Sequence, residues 1–480
     1  MPGHKRKKEA GPDGLREVLD MDITEITGYD DLHHPEGMIR ESMDLLREIY
    51  KSKESWYLVN GSTIGILAAI SAVCEPGDKI LIARNCHKSV YNAVRLRRLR
   101  ACYLYPAYSE DYDIMLDIGE KERRELKEIL ENEKDIRAVV ITSPTYEGVV
   151  TDIRAVRQVI SEYDDRIPLI VDEAHGAHMI FHGDFPESAV LSGADIVVQS
   201  AHKTLPALTQ TGLMHLCSDR VSPALLFEWI SVYETSSPSY LLMASAESAV
   251  IFMHNRGKKL QKYVDNLKDF RHKCGQLIHI QLFGSENLPV FDYDMSKLVF
   301  IVDKCEKDGN WLFSRLRDEW NLELEMAARR YALAMTSVMD EEEDFQNLWE
   351  AVRTIDQEID RELRSQSDLE KSREMEQGRI SPVSMKAASD PLSRKARKEM
   401  EPWECPRGGA VLCPLSESVG QIAASYVMVY PPGIPLLVPG EKIMKEMVEN
   451  LKVSLYNGYN VQGLAGDKIP VMPNKRINWR

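Results

Sequence analysis

Short, apolar, β-branched runs separated by helix-length segments narrow the folds open to this chain more than any other feature. The runs are KILIA (79–83), CYLY (102–105), RAVVIT (137–142), PLIVD (168–172) and ADIVVQS (194–200). Between them, KERRELKEILEN (121–132) and the series Ile153, Val156, Val159, Ile160, Tyr163 keep a helical period, and Ile39, Met43, Leu46 and Tyr50 mark an earlier helix, MIRESMDLLREIY. Strands that are apolar throughout and alternate with helices predict a mainly parallel α/β sheet covered on both faces. Ligands of such sheets bind beyond the carboxyl ends of the strands. The expected division is a major domain over 1–285 that includes an N-terminal arm, a small α/β domain over 286–360, a charged linker or helix over 361–400 and a C-terminal domain over 401–480. Two local expectations accompany it. Residues 241–275 read as one long helix, and the Pro/Gly cluster of YPPGIPLLVPGE reads as a rigid loop between a strand and a helix.

Composition closes off several classes. Of 480 residues, 60 are Lys or Arg and 75 are Asp or Glu, a net charge of −15, which argues against nucleic acid as a partner. The 8 Cys form no CxxC pair, so neither a disulfide frame nor a zinc knuckle is expected. No run approaches the ~18 apolar residues of a membrane span. The opening MPGHKRKKEAGPDG also lacks the apolar segment of a secretory signal. A cytoplasmic globular enzyme is the expectation, with no membrane partner.

Four segments carry chemistry, each following a strand-like run. In SAHKTLPALTQTG (200–212), Lys203 stands among small, hydroxyl and imidazole groups rather than other charges. A lysine there can form a Schiff base with a carbonyl ligand if partial burial lowers its pKa, while Ser200, His202 and Thr204 can donate to an anion. A loop lysine beside a satisfied polar turn is the competing reading. In PLIVDEAHGAHMIFH (168–182), Asp172 ends an apolar strand, and a carboxylate there can keep a pyridine nitrogen protonated, as pyridoxal phosphate requires to act as an electron sink. Ala174 leaves room for a flat ring. The same letters spell the acidic box of helicases, but the chain has no GxxxxGK[ST] loop. The spacing His175, His178, His182 with Asp172 also suits a metal-dependent hydrolase. In WYLVNGSTIGILAAI (56–70), Ser62 and Thr63 open an apolar helix after Asn60-Gly61, either as an anion site or as a plain cap. In RNCHKSVYNA (84–93), His87 follows the KILIA strand, where an imidazole can stack on a ring.

With these segments in view, the chain resembles the pyridoxal-phosphate-dependent ornithine/lysine/arginine decarboxylases in their short form. MPGHKRK, DITEITGYDDLHHPEG, LVNGSTIGILAAI, RNCHKSV, TSPTYEG, VDEAHGAH, QSAHKTLPALTQTG, TSSPSYLL and YPPGIPLLVPGE carry the likeness from residue 1 to about 440. The resemblance implies the aspartate-aminotransferase-like fold (fold type I) and an active site at a homodimer interface. It implies a carboxy-lyase that takes arginine, lysine or ornithine to agmatine, cadaverine or putrescine and CO2. Lys203 becomes the Schiff-base lysine and Asp172 the partner of the pyridine nitrogen. His87 is implied on the ring, with Ala174 and His175 beneath it or near its phenolic oxygen. Ser62, Thr63, Ser200 and His202 are implied at the phosphate, Thr235 and Ser236 at the phosphate of the neighbouring subunit, and Lys203 or His202 as the proton donor to Cα. Glu147 stands where relatives often carry an aromatic residue, and Glu417 reads as a solvated helix-start residue before it reads as a carboxylate for a cationic substrate tail. Aminotransfer, elimination or oxidation on the same cofactor are the alternative reactions.

Overall fold

Every one of the five apolar runs forms a strand. The computed structural model describes residues 3–7, 13–284, 286–302, 307–374, 397–405, 408–429, 433–456 and 460–473. Its largest sheet has seven strands: β1 (Glu54–Leu58), β2 (Lys79–Ala83), β3 (Arg100–Leu104), β4 (Ile136–Thr142), β5 (Leu169–Asp172), β6 (Ile196–Gln199) and β7 (Gly212–Leu216), in the order β1-β7-β6-β5-β4-β2-β3. The pairs from β6 through β5, β4 and β2 to β3 are parallel, and only β7 runs against its neighbours. Thr142 and Asp172 share a register, so β4 and β5 end side by side. Chain order reverses between β2 and β4, which opens a crevice at their carboxyl ends.

The helix Gly61–Val73 is apolar on every side, and the structure buries it, as such a helix requires. Gly65 permits its close approach to the sheet, because a Cβ there would lie 2.7 Å from Leu58 Cδ1 and 2.8 Å from Val198 Cγ1. The amphipathic helices Met38–Tyr50, Glu120–Asn132 and Ile153–Asp164 cover the rest at the expected places. The stretch read as one helix over 241–275 is two, Tyr240–Asn255 and Gly257–Cys274, joined at Arg256. The break falls on Arg256-Gly257, where glycine's backbone freedom weakens a continuous helix.

A four-stranded antiparallel sheet follows, built from Gln281–Leu282, Lys297–Ile301, Tyr331–Met335 and Met326–Ala327. Its edge strand begins at Gln281, a few residues ahead of the expected boundary at 285. Asp292–Tyr293 leaves this unit to pair with Val149–Val150, just beyond β4, and so ties the smaller sheet to the crevice. Most of the 361–400 linker lies outside the described residues; its first part continues the helix Glu342–Glu374. In the C-terminal unit the Pro/Gly cluster lies between two strands, Val427–Val429 and Pro435–Leu437, rather than between a strand and a helix. Residues 430–432 lie outside the described residues; beyond them the chain resumes as a strand that pairs with Val427–Val429 and places Leu437 in that unit's small apolar core.

This last unit docks through a buried ion pair. Arg84, just past β2, is 1% exposed and sits 3.2 Å from Glu441 Oε2, whose own residue is fully buried. Arg84 also donates to the carbonyls of Pro435 and Leu436. Breaking one partner of a buried pair leaves an uncompensated charge. Glu441→Ala is therefore expected to destabilise the docked C-terminal unit by about 3–5 kcal/mol, seen as early proteolytic release of that unit. Wild-type resistance to protease would contradict this.

Candidate active site

Four of the five parallel strands, all but β3, lead into the crevice. Asn85 and His87 follow β2, Pro144 to Glu147 follow β4, Asp172 closes β5, and Lys203 follows β6 after Ser200. These line one pocket together with Ser62, Met115, Ala174, His175 and Ile434. Ile434 comes from the C-terminal unit that Arg84 holds in place.

Lys203 Nζ lies 3.0 Å from His175 Nε2 and 5.9 Å from the centre of the Tyr146 ring. Burial lowers the Lys203 pKa, and the carboxylates of Asp172 and Glu325 oppose that effect. Asp172 is 4% exposed and accepts from the Ala174 N–H at 3.2 Å. Burial raises its pKa while Lys203 draws it down. His175 is held well below the usual histidine range, first by burial and then by the charges of Lys203 and Lys297. The Tyr146 ring leans on it at 4.5 Å. His87 caps the helix Lys88–Leu96, with Nδ1 facing the Ser89 hydroxyl at 2.9 Å, and burial lowers its pKa to about 4. Ser62 and Ser200 meet at 2.7 Å between their hydroxyls. Asn60, at the start of the Gly61–Val73 helix, makes no side-chain cap, so that helix's first amides are not taken up by it.

The expected site residues thus divide. Ser62, His87, Asp172, Ala174, His175 and Lys203 line the pocket, and Ser200 stands behind it, fully buried. Thr63 is exposed on the helix start. His202 turns away, its Nδ1 donating to the Thr211 carbonyl at 2.8 Å. Thr235 and Ser236 are exposed and lie near Asn60 and His33 rather than in this chain's pocket. Glu417 is exposed and is not among the lining residues. The proposed metal cluster does not converge. His175 is engaged by lysine, His178 faces Asp294 at 3.3 Å, and His182 meets Gln261 at 3.0 Å. Their partners lie in different directions because the segment is a turn followed by the 3-10 helix Met179–Phe181, not a continuous helix that would align them. Among the described residues no group of three His, Cys, Asp or Glu side chains is placed to hold a metal ion.

Sequence reasoning missed Lys297, Tyr146 and Asn85, and gave Glu147 no role. Lys297 is fully buried at the head of its strand, 3.3 Å from His175 Nδ1. Glu147 is buried and accepts from the Tyr331 hydroxyl at 2.7 Å. The one available signal for Lys297 was a cation heading an otherwise apolar run, three residues after Asp294.

Two family models match the chain: Orn/Lys/Arg decarboxylase, major domain, over residues 14–320, and Orn/Lys/Arg decarboxylase, C-terminal domain, over residues 390–463. A Bacillus subtilis arginine decarboxylase is 30% identical over 472 residues, covering 96% of this chain and 91% of the relative. The uncharacterized protein YaaO of the same organism is 35% identical over 449 residues, covering 93% and 88%. The solved lysine decarboxylase of Francisella novicida superposes with a TM-score of 0.82 at 20% identity, covering 98% of this chain and 78% of that one. The shared fold is therefore that of fold type I enzymes, with a mainly parallel central sheet and an added C-terminal domain.

The two pocket histidines give a pH prediction. An unfolded chain binds protons on histidine near 6.5, whereas the folded chain holds His87 down to about 4 and His175 well below the usual range. More protons on the unfolded state mean that stability rises with pH in this window. Cofactor-free protein is expected to lose about 1.4 kcal/mol per pH unit for each group as pH falls from 6.5 toward 4. Urea unfolding at several pH values checks this, and His87→Asn should remove one such contribution. An unchanged slope in that variant would contradict the assignment.

Proposed function

This chain belongs to the Orn/Lys/Arg decarboxylase family, and on that premise we propose that it decarboxylates a basic amino acid, with pyridoxal phosphate held at Lys203. The observation that carries the reading is the convergence of the half-buried Lys203 amine and the buried Asp172 carboxylate on one pocket from the ends of adjacent strands, with the His175 imidazole 3.0 Å from the amine.

The residues present fit the cofactor. The Asn85 Oδ1 atom of the pocket wall and the nearby Thr204 Oγ1 are buried without partners, so polar capacity is left for a ligand. The Gly61–Val73 helix start and the paired hydroxyls of Ser62 and Ser200 suit its phosphate. Lys203 would hold it covalently, Asp172 would keep a proton on its ring nitrogen, and His87 and Ala174 would form the walls beside its ring. When bound, pyridoxal phosphate supplies the electron sink for the charge left on Cα as CO2 departs.

The chain's own groups then divide the remaining work. The Lys203 amine would be the lining group able to hold a proton for Cα; His202 is not among the lining residues, and its Nδ1 donates to the Thr211 carbonyl. Neutral His175 can donate or accept at Nε2 without adding charge beside Asp172. Ile434 and Tyr146 exclude water from one side of the pocket. For the distal cation of the substrate we assign Glu325. It is an exposed carboxylate that accepts from the Tyr146 hydroxyl and lies close enough to act on both Lys203 and Lys297. Two subunits that share the active site, a cytoplasmic location and the use of the product as a polyamine precursor belong to the same reading. Among the described residues no helix is long and apolar enough to cross a membrane.

Release of amine and CO2 should be measured over arginine, lysine and ornithine, with arginine first because the relative at 30% identity bears that name. Lys203→Ala should abolish release, and Asp172→Ala should reduce kcat by roughly a hundredfold or more. Glu325→Gln should raise KM about three- to tenfold with little change in kcat, as loss of one partly exposed charge pair implies. Keto acid in place of amine would move the assignment to aminotransfer. Turnover surviving in Lys203→Ala would overturn it.

A further inference from the structure

The residue after Asp172 turns away from the pocket. Glu173 is 2% exposed, and neither it nor the groups it bonds line the cavity that Lys203 enters. Its Oε2 accepts from the Ser188 hydroxyl at 2.7 Å and from the Gln199 side-chain amide at 2.6 Å, while its Oε1 accepts from the Ala189 N–H at 2.6 Å. Its backbone N–H continues the β5–β6 ladder to the Val198 carbonyl at 2.9 Å, and its carbonyl closes the turn by accepting from the Gly176 N–H at 2.9 Å. The side chain folds over that glycine, where a Cβ would fall 2.6 Å from Glu173 Cγ.

Gln199 gives this link its reach. It closes β6, directly before Ser200 and the helical turn Ala201–Thr204 that carries Lys203. Its Oε1 meets His215 Nε2 on β7 at 3.2 Å, and His215 Nδ1 meets the Ser55 hydroxyl on β1 at 2.8 Å. One buried polar row thus starts one residue from Asp172 and crosses to β6, β7 and β1, which are neighbours in the sheet. We propose that Glu173 is a positioning residue that, through Gln199, holds Asp172 at a fixed separation from Lys203. The inference rests on the reading of Asp172 and Lys203 as the working pair of the pocket.

The row has a direction. A carboxylate only accepts, so Gln199 turns its NH2 toward Glu173 and its oxygen toward His215, and that ring carries its proton on Nε2 and is bare at Nδ1. A glutamine at 173 keeps the row by reversing it, with the Gln199 amide turned over and the His215 proton moved to Nδ1. A methionine of similar size cannot do so, and it leaves the Ala189 N–H, the Ser188 hydroxyl and the Gln199 amide without their acceptor, a costly state for buried donors.

The pH midpoint of the Lys203 amine in cofactor-free protein reads the separation. Asp172 and Glu325 raise it, and the His87 and His175 rings and Lys297 also face the amine; the variants alter none of these groups. Trace acetylation over a range of pH, read by peptide mass spectrometry, measures it. In Glu173→Met the midpoint should fall by about half a unit, so that Lys203 labels roughly threefold faster below it. In Glu173→Gln it should stay at the wild-type value. Loss of a merely structural contact would lower the melting temperature and leave the midpoint of the folded protein in place. An unmoved midpoint in folded Glu173→Met, or an equal fall in Glu173→Gln, overturns the proposal. If Glu173→Met fails to fold, Gln199→Met cuts the same link from β6 and must give the same fall. Nitrogen NMR of histidine-labelled wild-type protein adds a check that needs no variant. Burial pushes the Glu173 carboxyl up to about 7, so at about pH 9 it is ionised. His215 protonated at Nε2 there supports the row, and the opposite tautomer overturns it. Failure of wild-type protein to attach pyridoxal phosphate at Lys203 would contradict the decarboxylase reading instead, and the acetylation midpoints would still decide the role of Glu173.

Discussion

An amine becomes a nucleophile only when its proton is taken away, and a protein does this cheaply by removing water from around it. Lys203 is moved toward that condition, half-buried after β6 with its charge opposed by desolvation and supported by the carboxylates of Asp172 and Glu325. The rest of the pocket follows from having to keep such a group stable. Asp172 must be near enough to offset the burial of a cation but free to serve another one. His175 must be neutral, since a second positive charge 3.0 Å away would be untenable.

The fold meets these demands through layers of backbone, not through one loop. Parallel pairing of β4 with β5 brings Thr142 and Asp172 into register, so side chains far apart in the chain arrive at one edge. The helix Gly61–Val73 lies against that sheet through Gly65 and offers its start to the same place. Two further units then close on the crevice. The smaller sheet enters through the pairing of Asp292–Tyr293 with Val149–Val150 and carries Lys297 with it. The C-terminal unit enters through the Arg84–Glu441 pair and carries Ile434. Stability and reactivity are thus coupled, because the contacts that dock these units also shape the pocket.

The central sheet and the meeting of Asp172 and Lys203 at its carboxyl edge were legible in sequence because they are encoded locally. An apolar run that ends in Asp172 states its own strand and its own functional end, and Lys203 is conspicuous among small and hydroxyl neighbours. The two-lysine arrangement was not legible, since Lys297 and His175 are 122 residues apart and meet only through tertiary pairing. The strand β7 was hidden because GLMHL lacks β-branched residues, and its place is set by partners on both sides. The helix break at Arg256 was overlooked although Gly257 marks it locally, whereas the strand after the Pro/Gly cluster pairs with an element that the local sequence does not name. The metal cluster failed because regular spacing implies a common direction only on a continuous helix, and this segment is not one.

The central claim is that one particular lysine carries the cofactor. Incubation with pyridoxal phosphate, reduction with borohydride and peptide mapping by mass spectrometry test it directly. The account predicts a single pyridoxyl group on the peptide that contains Lys203; attachment at Lys297 or another lysine, or none at all, would contradict it.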